Sequence, residues 1–391
     1  MKTEFEDLTQ NPYPFYEEIR AQSPIHWGEF FGNRGWYITG YEEASMILKD
    51  LRFQNRMPLP ETTKWFERLK EIQKQMVLYQ NPPDHRKIRR LVNERFTPKV
   101  LERYVFMIEE TAEQLFSHIK NDKKLDFIAD FAFPLASTVI ARLLGVPERD
   151  KDLFRRWALT LIDTIDLNRS RKSLVKGNEC IVEMVHYFKS LILNSKRNRK
   201  NDLISVLVEE QNNDKLTEDE VLSTCILLLI AGHETTVNLI SNAIYCLATN
   251  QEQQIKLREE PLLLKTAIEE VLRYESPTQL TARIASTDVI INQTQIKKGD
   301  HIYLFLGACN RDPKNFPNAN TLDFAREPNP HLSFGAGIHF CLGSELAKIE
   351  TKAALRTILK NTNSIQIDSK QLEWRNLTGF RALKELPVVF N

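Results

Sequence analysis

Glycine is sparse in this sequence, at 13 of 391 residues, and no Pro-, Gly- or Ser-rich tract or internal repeat breaks the chain. The one linker-like stretch, residues 194–202 (NSKRNRKND), is too short to divide it, so a single domain over residues 1–391 is expected. Long hydrophobic runs are missing too. The most apolar stretch, residues 225–232, stops at His233 and Glu234, far short of the ~20 residues that span a bilayer. The first residues, MKTEFEDLTQNPYPFYEEIR, are acidic and polar where an export signal carries a basic patch and an apolar core. Neither a membrane nor export is indicated. Five widely spaced cysteines without a CxxC fit neither a disulfide framework nor a zinc site, which points to the reducing cytoplasm. An excess of charge is also lacking: 53 Lys+Arg against 52 Asp+Glu leave +1. That removes the basic field of nucleic-acid binders, so nucleic acid is not an expected partner.

What is present is mostly helical periodicity. Apolar residues recur at three- and four-residue spacing in Tyr104, Ile108, Leu115 and Ile119, and again in Ala347, Ala354, Leu355 and Ile358. Strand-like material is confined to residues 35–39 (GWYIT), 283–303 and 386–390 (LPVVF), enough for one small side sheet. The fold class is therefore mainly α with a small β sublobe. Thr217 and Glu220 have the spacing of a capping box ahead of about thirty proline-free residues. Residues 222–230 are apolar on nearly every face, the pattern of a helix buried on all sides.

Three groups of residues suggest chemistry. In Phe334-Gly-Ala-Gly-Ile-His-Phe-Cys-Leu-Gly343 a cysteine sits in a glycine-containing loop just before a helical pattern. A helix N-terminus favours thiolate over thiol, and Gly335, Gly337 and Gly343 would let a flat cofactor approach the backbone. On these residues alone, a buried inert cysteine remains open. In Ala231-Gly-His-Glu-Thr-Thr236 an acid and hydroxyls interrupt an apolar helix, which suits either proton delivery or a hydrogen-bonded polar patch. Glu270 and Arg273 lie one helical turn apart, as many surface ion pairs do.

Taken together, Phe334-x-x-Gly337-x-His339-x-Cys341-x-Gly343 resembles the haem-ligand signature of the cytochrome P450 family. The resemblance implies the cytochrome P450 fold and heme b (iron protoporphyrin IX), with Cys341 as the iron's metal ligand and Phe334 packed beside it. His339 stands where an arginine more often reaches a haem propionate. His85 and Arg89, in Pro82-Pro-Asp-His-Arg-Lys-Ile-Arg89, and Arg283, in Thr281-Ala-Arg283, match further propionate contacts. Glu234 and Thr235 match the acid–threonine pair that routes protons to bound oxygen. Glu270, Arg273 and Arg326 resemble the charged cluster that holds the cysteine loop, a structural role, and His331 reads as structural. Asn310-Arg-Asp-Pro313 and Asn11-Pro-Tyr-Pro-Phe-Tyr16 are similar to the soluble bacterial class.

The resemblance implies a haem-thiolate monooxygenase that hydroxylates or oxidatively cleaves a hydrophobic substrate. Only ~50 residues follow Cys341, so electrons are expected from a separate ferredoxin or flavodoxin with its reductase. Basic residues Arg86, Lys87, Arg90, Arg95 and Lys348 are the candidate docking face for that carrier. Ser223-Thr-Cys-Ile226, Thr236-Val-Asn-Leu-Ile-Ser-Asn242, Arg273-Tyr-Glu-Ser-Pro277 and Thr164-Ile-Asp166 are similar to the biotin-synthesis branch, which cleaves long acyl chains to a pimeloyl product. A fatty acyl chain, free or on an acyl-carrier protein, is one substrate class. Macrolide, terpenoid and steroid hydroxylases share most of these strings and stay open. Substrate contacts are expected within residues 57–79, including Trp65, Phe66, Met76, Val77 and Leu78, and at Thr278–Leu280. A peroxide-driven relative would dispense with the acid–threonine pair, and a non-catalytic P450-like recruitment module would lack the cysteine.

Overall fold

The structure, a computed structural model, describes residues 5–30, 32–55, 64–120, 125–198 and 202–391. Residues 57–63 of the apolar stretch and 199–201 of the linker-like segment lie outside the described residues. The chain packs as two compact units: Met1–Arg56, Glu109–Ala132 and Thr236–Asn391 form one, and Met57–Ile108 and Phe133–Thr235 form the other.

All strands among the described residues belong to the first unit. They are β1 (Ile25–Phe30), β2 (Asn33–Ile38), β3 (Phe53–Asn55), β4 (Leu125–Asp126), β5 (Leu280–Ala285), β6 (Val289–Ile291), β7 (Thr294–Ile296), β8 (His301–Phe305), β9 (Ile365–Ile367) and β10 (Pro387–Phe390). The main sheet runs β1-β2-β8-β5-β3, with β2 and β8 parallel and the other neighbours antiparallel. Across the parallel pair the Tyr37 and Tyr303 rings stack with centroids 4.9 Å apart, a same-face pairing that fixes register. Ile38, Ile302 and Leu304 pack with Ala44, Ile47 and Leu48 of the Tyr41–Lys49 helix to close a core on this sheet.

The expectation of one side sheet needs correction. The C-terminal strand β10 pairs with β4 and β9 in a separate three-stranded sheet, and β6 and β7 form a two-stranded ribbon. Its partners were invisible because β4 and β9 span two and three residues, too few to show alternation.

Among its described residues the second unit is built of helices joined by turns, with no strand. The Glu218–Thr249 helix leaves this unit after Thr235 and continues in the first. Its start is the anticipated capping box: Thr217 N donates to Glu220 Oε2 at 2.7 Å, and Glu220 N to Thr217 Oγ1 at 3.2 Å. Val221 through Leu229 are buried on every face. By length and composition this helix could cross a membrane, yet 78% of its most apolar window is buried inside the protein.

Candidate active site

The cysteine loop lies between Leu332 and the Ser344–Asn361 helix. Gly335 and Gly337 adopt φ +70° and +72°, a region costly for residues with a Cβ. At Gly337 the constraint is double, since a Cβ would stand 2.5 Å from Leu48 O at the end of the Tyr41–Lys49 helix. Cys341 N donates to Phe334 O at 2.9 Å, closing the loop on itself. Apart from its chain neighbours, no described residue lies within 4 Å of a Cβ built on Gly343. Cys180, Cys225, Cys246 and Cys309 are buried, whereas Cys341 is half-buried. Burial pushes the Cys180 and Cys225 thiols up to about 12 and raises those of Cys246 and Cys309 as well. These four are packed as inert thiols. Cys341 is the one cysteine that is not buried.

The loop is held by a buried charged cluster. Arg273 grips Glu270 through two bonds of 2.7 Å, both side chains fully buried. Arg326 Nε approaches the same carboxylate at 3.1 Å, and Asn329 Nδ2 donates to it at 3.0 Å. Arg273 also donates to the carbonyls of Asn310, Ala319 and Thr321. Asn310 passes the restraint on: its Nδ2 donates to Ser333 Oγ, and its Oδ1 accepts from Leu332 N. A continuous set of bonds therefore runs from the Leu264–Tyr274 helix to the residue preceding Phe334. The structural reading of Glu270, Arg273 and Arg326 matches this geometry. His331 Nε2 lies 2.9 Å from Glu269 Oε2, again a tie rather than a reactive position.

Two further candidates sit in the same unit. Arg283, on β5, is 5% exposed and forms no ion pair among the described residues; its Nη1 donates only to Thr281 Oγ1 and Ala282 O. Burial lowers its pKa to about 10. Asn55 Nδ2 donates to His339 Nδ1 at 3.2 Å, which leaves the ring proton on Nε2. Asn55 was missed at the sequence level, because a contact across 284 positions leaves no local pattern. Thr278, another expected contact, bridges to Phe380.

In the helical unit, His85 and Arg89 share a face of the Asp84–Asn93 helix, His85 buried and Arg89 half-buried. Burial, then the charges of Arg89 and Arg86, push His85 down to about 4, so it is neutral at physiological pH. The Glu218–Thr249 helix opens on one side: Ala231 is exposed and Gly232 and Thr235 are half-buried, against the buried turns before them. Thr235 Oγ1 donates to Ala231 O at 2.6 Å, and Glu234 is buried. Phe66, Met76 and Val77 are buried in this unit's core, so packing accounts for their apolarity; Trp65 and Leu78 are exposed. Of the basic docking candidates, Lys87 is bound to Glu220 and, in the other unit, Lys348 to Glu269 and Glu345.

Comparison with known proteins gives one answer at every level. Residues 152–378 match the family model described as Cytochrome P450. The biotin biosynthesis cytochrome P450 of Bacillus subtilis (strain 168) is 52% identical over 98% of this chain and 97% of its own length. The chain belongs to the cytochrome P450 family. Among solved structures, P450BioI in complex with an acyl carrier protein ligated to hexadec-9Z-enoic acid superposes with a TM-score of 0.96 at 52% identity, covering 98% of this chain and 100% of that one. CYP109E1 from Bacillus megaterium in complex with testosterone gives 0.90 at 33% identity, covering 99% of each.

This P450 is therefore a mainly helical haem-thiolate monooxygenase, and its cofactor is heme b bound through a cysteine thiolate. The residues present fit that group. The cysteine is half-buried in a loop whose Phe334, Ile338 and Leu342 are half-buried too, and its N–H is bonded to Phe334 O. Arg283 is a buried cation with no carboxylate partner among the described residues, and haem brings two.

Proposed function

We propose that this P450 oxidises a long fatty acyl chain, hydroxylating or cleaving it on the way to a pimeloyl product for biotin synthesis. The observation that carries this reading is the whole-length likeness, at 52% identity, to a biotin biosynthesis P450 and to the acyl carrier protein complex of P450BioI. On this reading the substrate arrives on an acyl-carrier protein, and electrons come from a separate ferredoxin or flavodoxin with its reductase. The protein works in the cytoplasm as one P450 domain.

In this proposal Cys341 is the iron ligand and Phe334 shields it. Arg283, His85, Arg89 and His339 Nε2–H bind the propionates, a task for which guanidinium and imidazole donors are suited. When bound, the haem supplies the oxygen and electron chemistry, and the thiolate pushes electron density onto the iron. Glu234 holds and passes a proton, and Thr235 Oγ1, tied back to Ala231 O, presents its hydroxyl at the open face of the helix.

The test is a titration of the haem-loaded enzyme with hexadecenoyl acyl-carrier protein, free hexadecenoic acid and testosterone, reading the low-to-high-spin shift. The acyl-carrier protein form is expected to bind tightest and to yield shortened diacid products. A full shift with testosterone alone would replace this reading with steroid hydroxylation. In parallel, Cys341→Ala is expected to fold and to lose the red-shifted Soret band of the reduced carbonyl complex; retention of that band would displace Cys341 as ligand.

A further inference from the structure

His233 is fully buried one residue before Glu234, in the part of the long helix that belongs to the helical unit. Its Nε2 lies 2.7 Å from Ser137 Oγ on the Phe133–Leu144 helix. Ser137 has a single hydroxyl proton, and Oγ donates it to Phe133 O at 2.7 Å. Toward His233 the oxygen must therefore accept, which places the ring proton on Nε2 and leaves Nδ1 a bare lone pair. That lone pair has no hydrogen-bond partner among the described residues and stands 3.9 Å from Glu234 Oε2.

The surroundings keep the ring fixed and neutral. The Phe133 ring meets it edge-on at 5.1 Å, and the Arg155 guanidinium covers that phenyl ring at 4.7 Å. Burial, with Arg155 adding repulsion, drives the imidazole down to about 3. Gly232 faces Ile140 of that neighbouring helix, where a Cβ would stand 2.8 Å from the Ile140 Cδ1 tip. A neutral imidazole held in one tautomer presents an acceptor lone pair 3.9 Å from its neighbour's carboxyl. A carboxylate offers Nδ1 nothing but lone-pair repulsion, whereas a protonated carboxyl can donate to it after a shift of about 1 Å, or through one water.

From this geometry we infer that His233 is a positioning residue: the protonated Glu234 carboxyl donates its O–H to His233 Nδ1, which so holds that side chain in its protonated form and rotamer between turnovers. Loss of the proton removes the bond and frees the carboxylate to be recharged. The inference rests on the proposed proton-handling role of Glu234, and adds the group that poises it.

Three variants of the haem-loaded enzyme separate the parts. His233→Gln keeps an amide N–H near the Nε2 position for Ser137 but removes the acceptor facing Glu234; Ser137→Ala removes the anchor; Glu234→Gln tests the underlying role. Glu234→Gln and His233→Gln are each expected to raise the share of reducing equivalents lost as hydrogen peroxide several-fold, while substrate spin-shift affinity stays within about twofold. The double variant should be no worse than Glu234→Gln alone, because both act through one proton. Nitrogen-15 NMR of histidine-labelled protein in the diamagnetic reduced carbonyl complex should show His233 protonated on Nε2 only, and a mixture of tautomers in Ser137→Ala. Uncoupling in Glu234→Gln but not in His233→Gln, or a proton on Nδ1 in the parent, would overturn the inference while leaving the proposed function intact. Unchanged coupling in Glu234→Gln would instead remove the role on which the inference rests.

Discussion

Lys87 Nζ lies 2.8 Å from Glu220 Oε1, and the same carboxylate closes the capping box of Thr217 at the head of the Glu218–Thr249 helix. One side chain thus ties the Asp84–Asn93 helix, which carries His85 and Arg89, to the start of the helix that carries Glu234. Burial alone would raise the Glu220 pKa, but the bonds from Lys87 and Thr217 outweigh it and hold the carboxyl below its ordinary range.

Lys87 is accordingly a poor candidate for a cation reserved for an electron carrier, whereas Arg86 and Arg90 are exposed and form no ion pair among the described residues. Lys87→Glu should destabilise the fold by about 1–2 kcal/mol, combining a lost pair and a disturbed cap. Arg90→Glu should leave the thermal midpoint unchanged and slow reduction by a ferredoxin or flavodoxin several-fold at low salt. Equal midpoints in the two variants would contradict this division.

Arg283 gives a prediction of opposite sign for the haem-free and haem-loaded protein. A cation whose folded pKa falls below its ordinary one costs native stability at neutral pH, because the folded state binds its proton less tightly than the unfolded state does. Arg283→Leu should therefore raise the unfolding midpoint of the haem-free protein and weaken haem retention. Calorimetry of both forms checks it, and a lower midpoint in the haem-free variant would show that Arg283 is compensated within the chain.

Glu269 supplies an acid-range signature. Burial opposes its ionisation, but hydrogen bonds from His331 and Lys348 prevail and bring it down to about 2. The folded pKa is depressed, so this group stabilises the protein above the unfolded carboxyl value of about 4.5, and the contribution is lost as pH falls toward 2. Glu269→Gln should be less stable than the parent at neutral pH, and the gap should close below pH about 4.5. A gap independent of pH would mean that packing, not charge, ties Glu269 to His331 and Lys348.

Thr235→Ala removes the hydroxyl that bonds Ala231 O. Electron consumption should continue while a several-fold larger share appears as hydrogen peroxide. Unchanged coupling would shift the proton-relay role to Thr236.

The cysteine loop, the capping box and the Glu270–Arg273 pair were legible in the sequence because each is local: a few residues whose spacing carries the geometry. The site's supporting contacts were not. Asn55 orients His339 and Ser137 sets the His233 tautomer from positions 284 and 96 residues away, and no periodicity encodes such pairings. Lys87 and Lys348 looked like a basic face until their carboxylate partners were located in space. Phe66, Met76 and Val77 suggested a hydrophobic ligand, though burial in the core makes the same demand of them.

The close seat of Gly337 on Leu48 O has a consequence for biogenesis. The loop that presents Cys341 is synthesised nearly 300 residues after the helix end on which it rests, so the emerging chain must keep that part of the Tyr41–Lys49 helix uncovered for as long. Contacts of such sequence separation form slowly and expose apolar surface meanwhile. Haem supplied during expression would then be captured only after the cysteine loop has been made and seated, and limited haem would leave a population of colourless protein rather than stalled fragments.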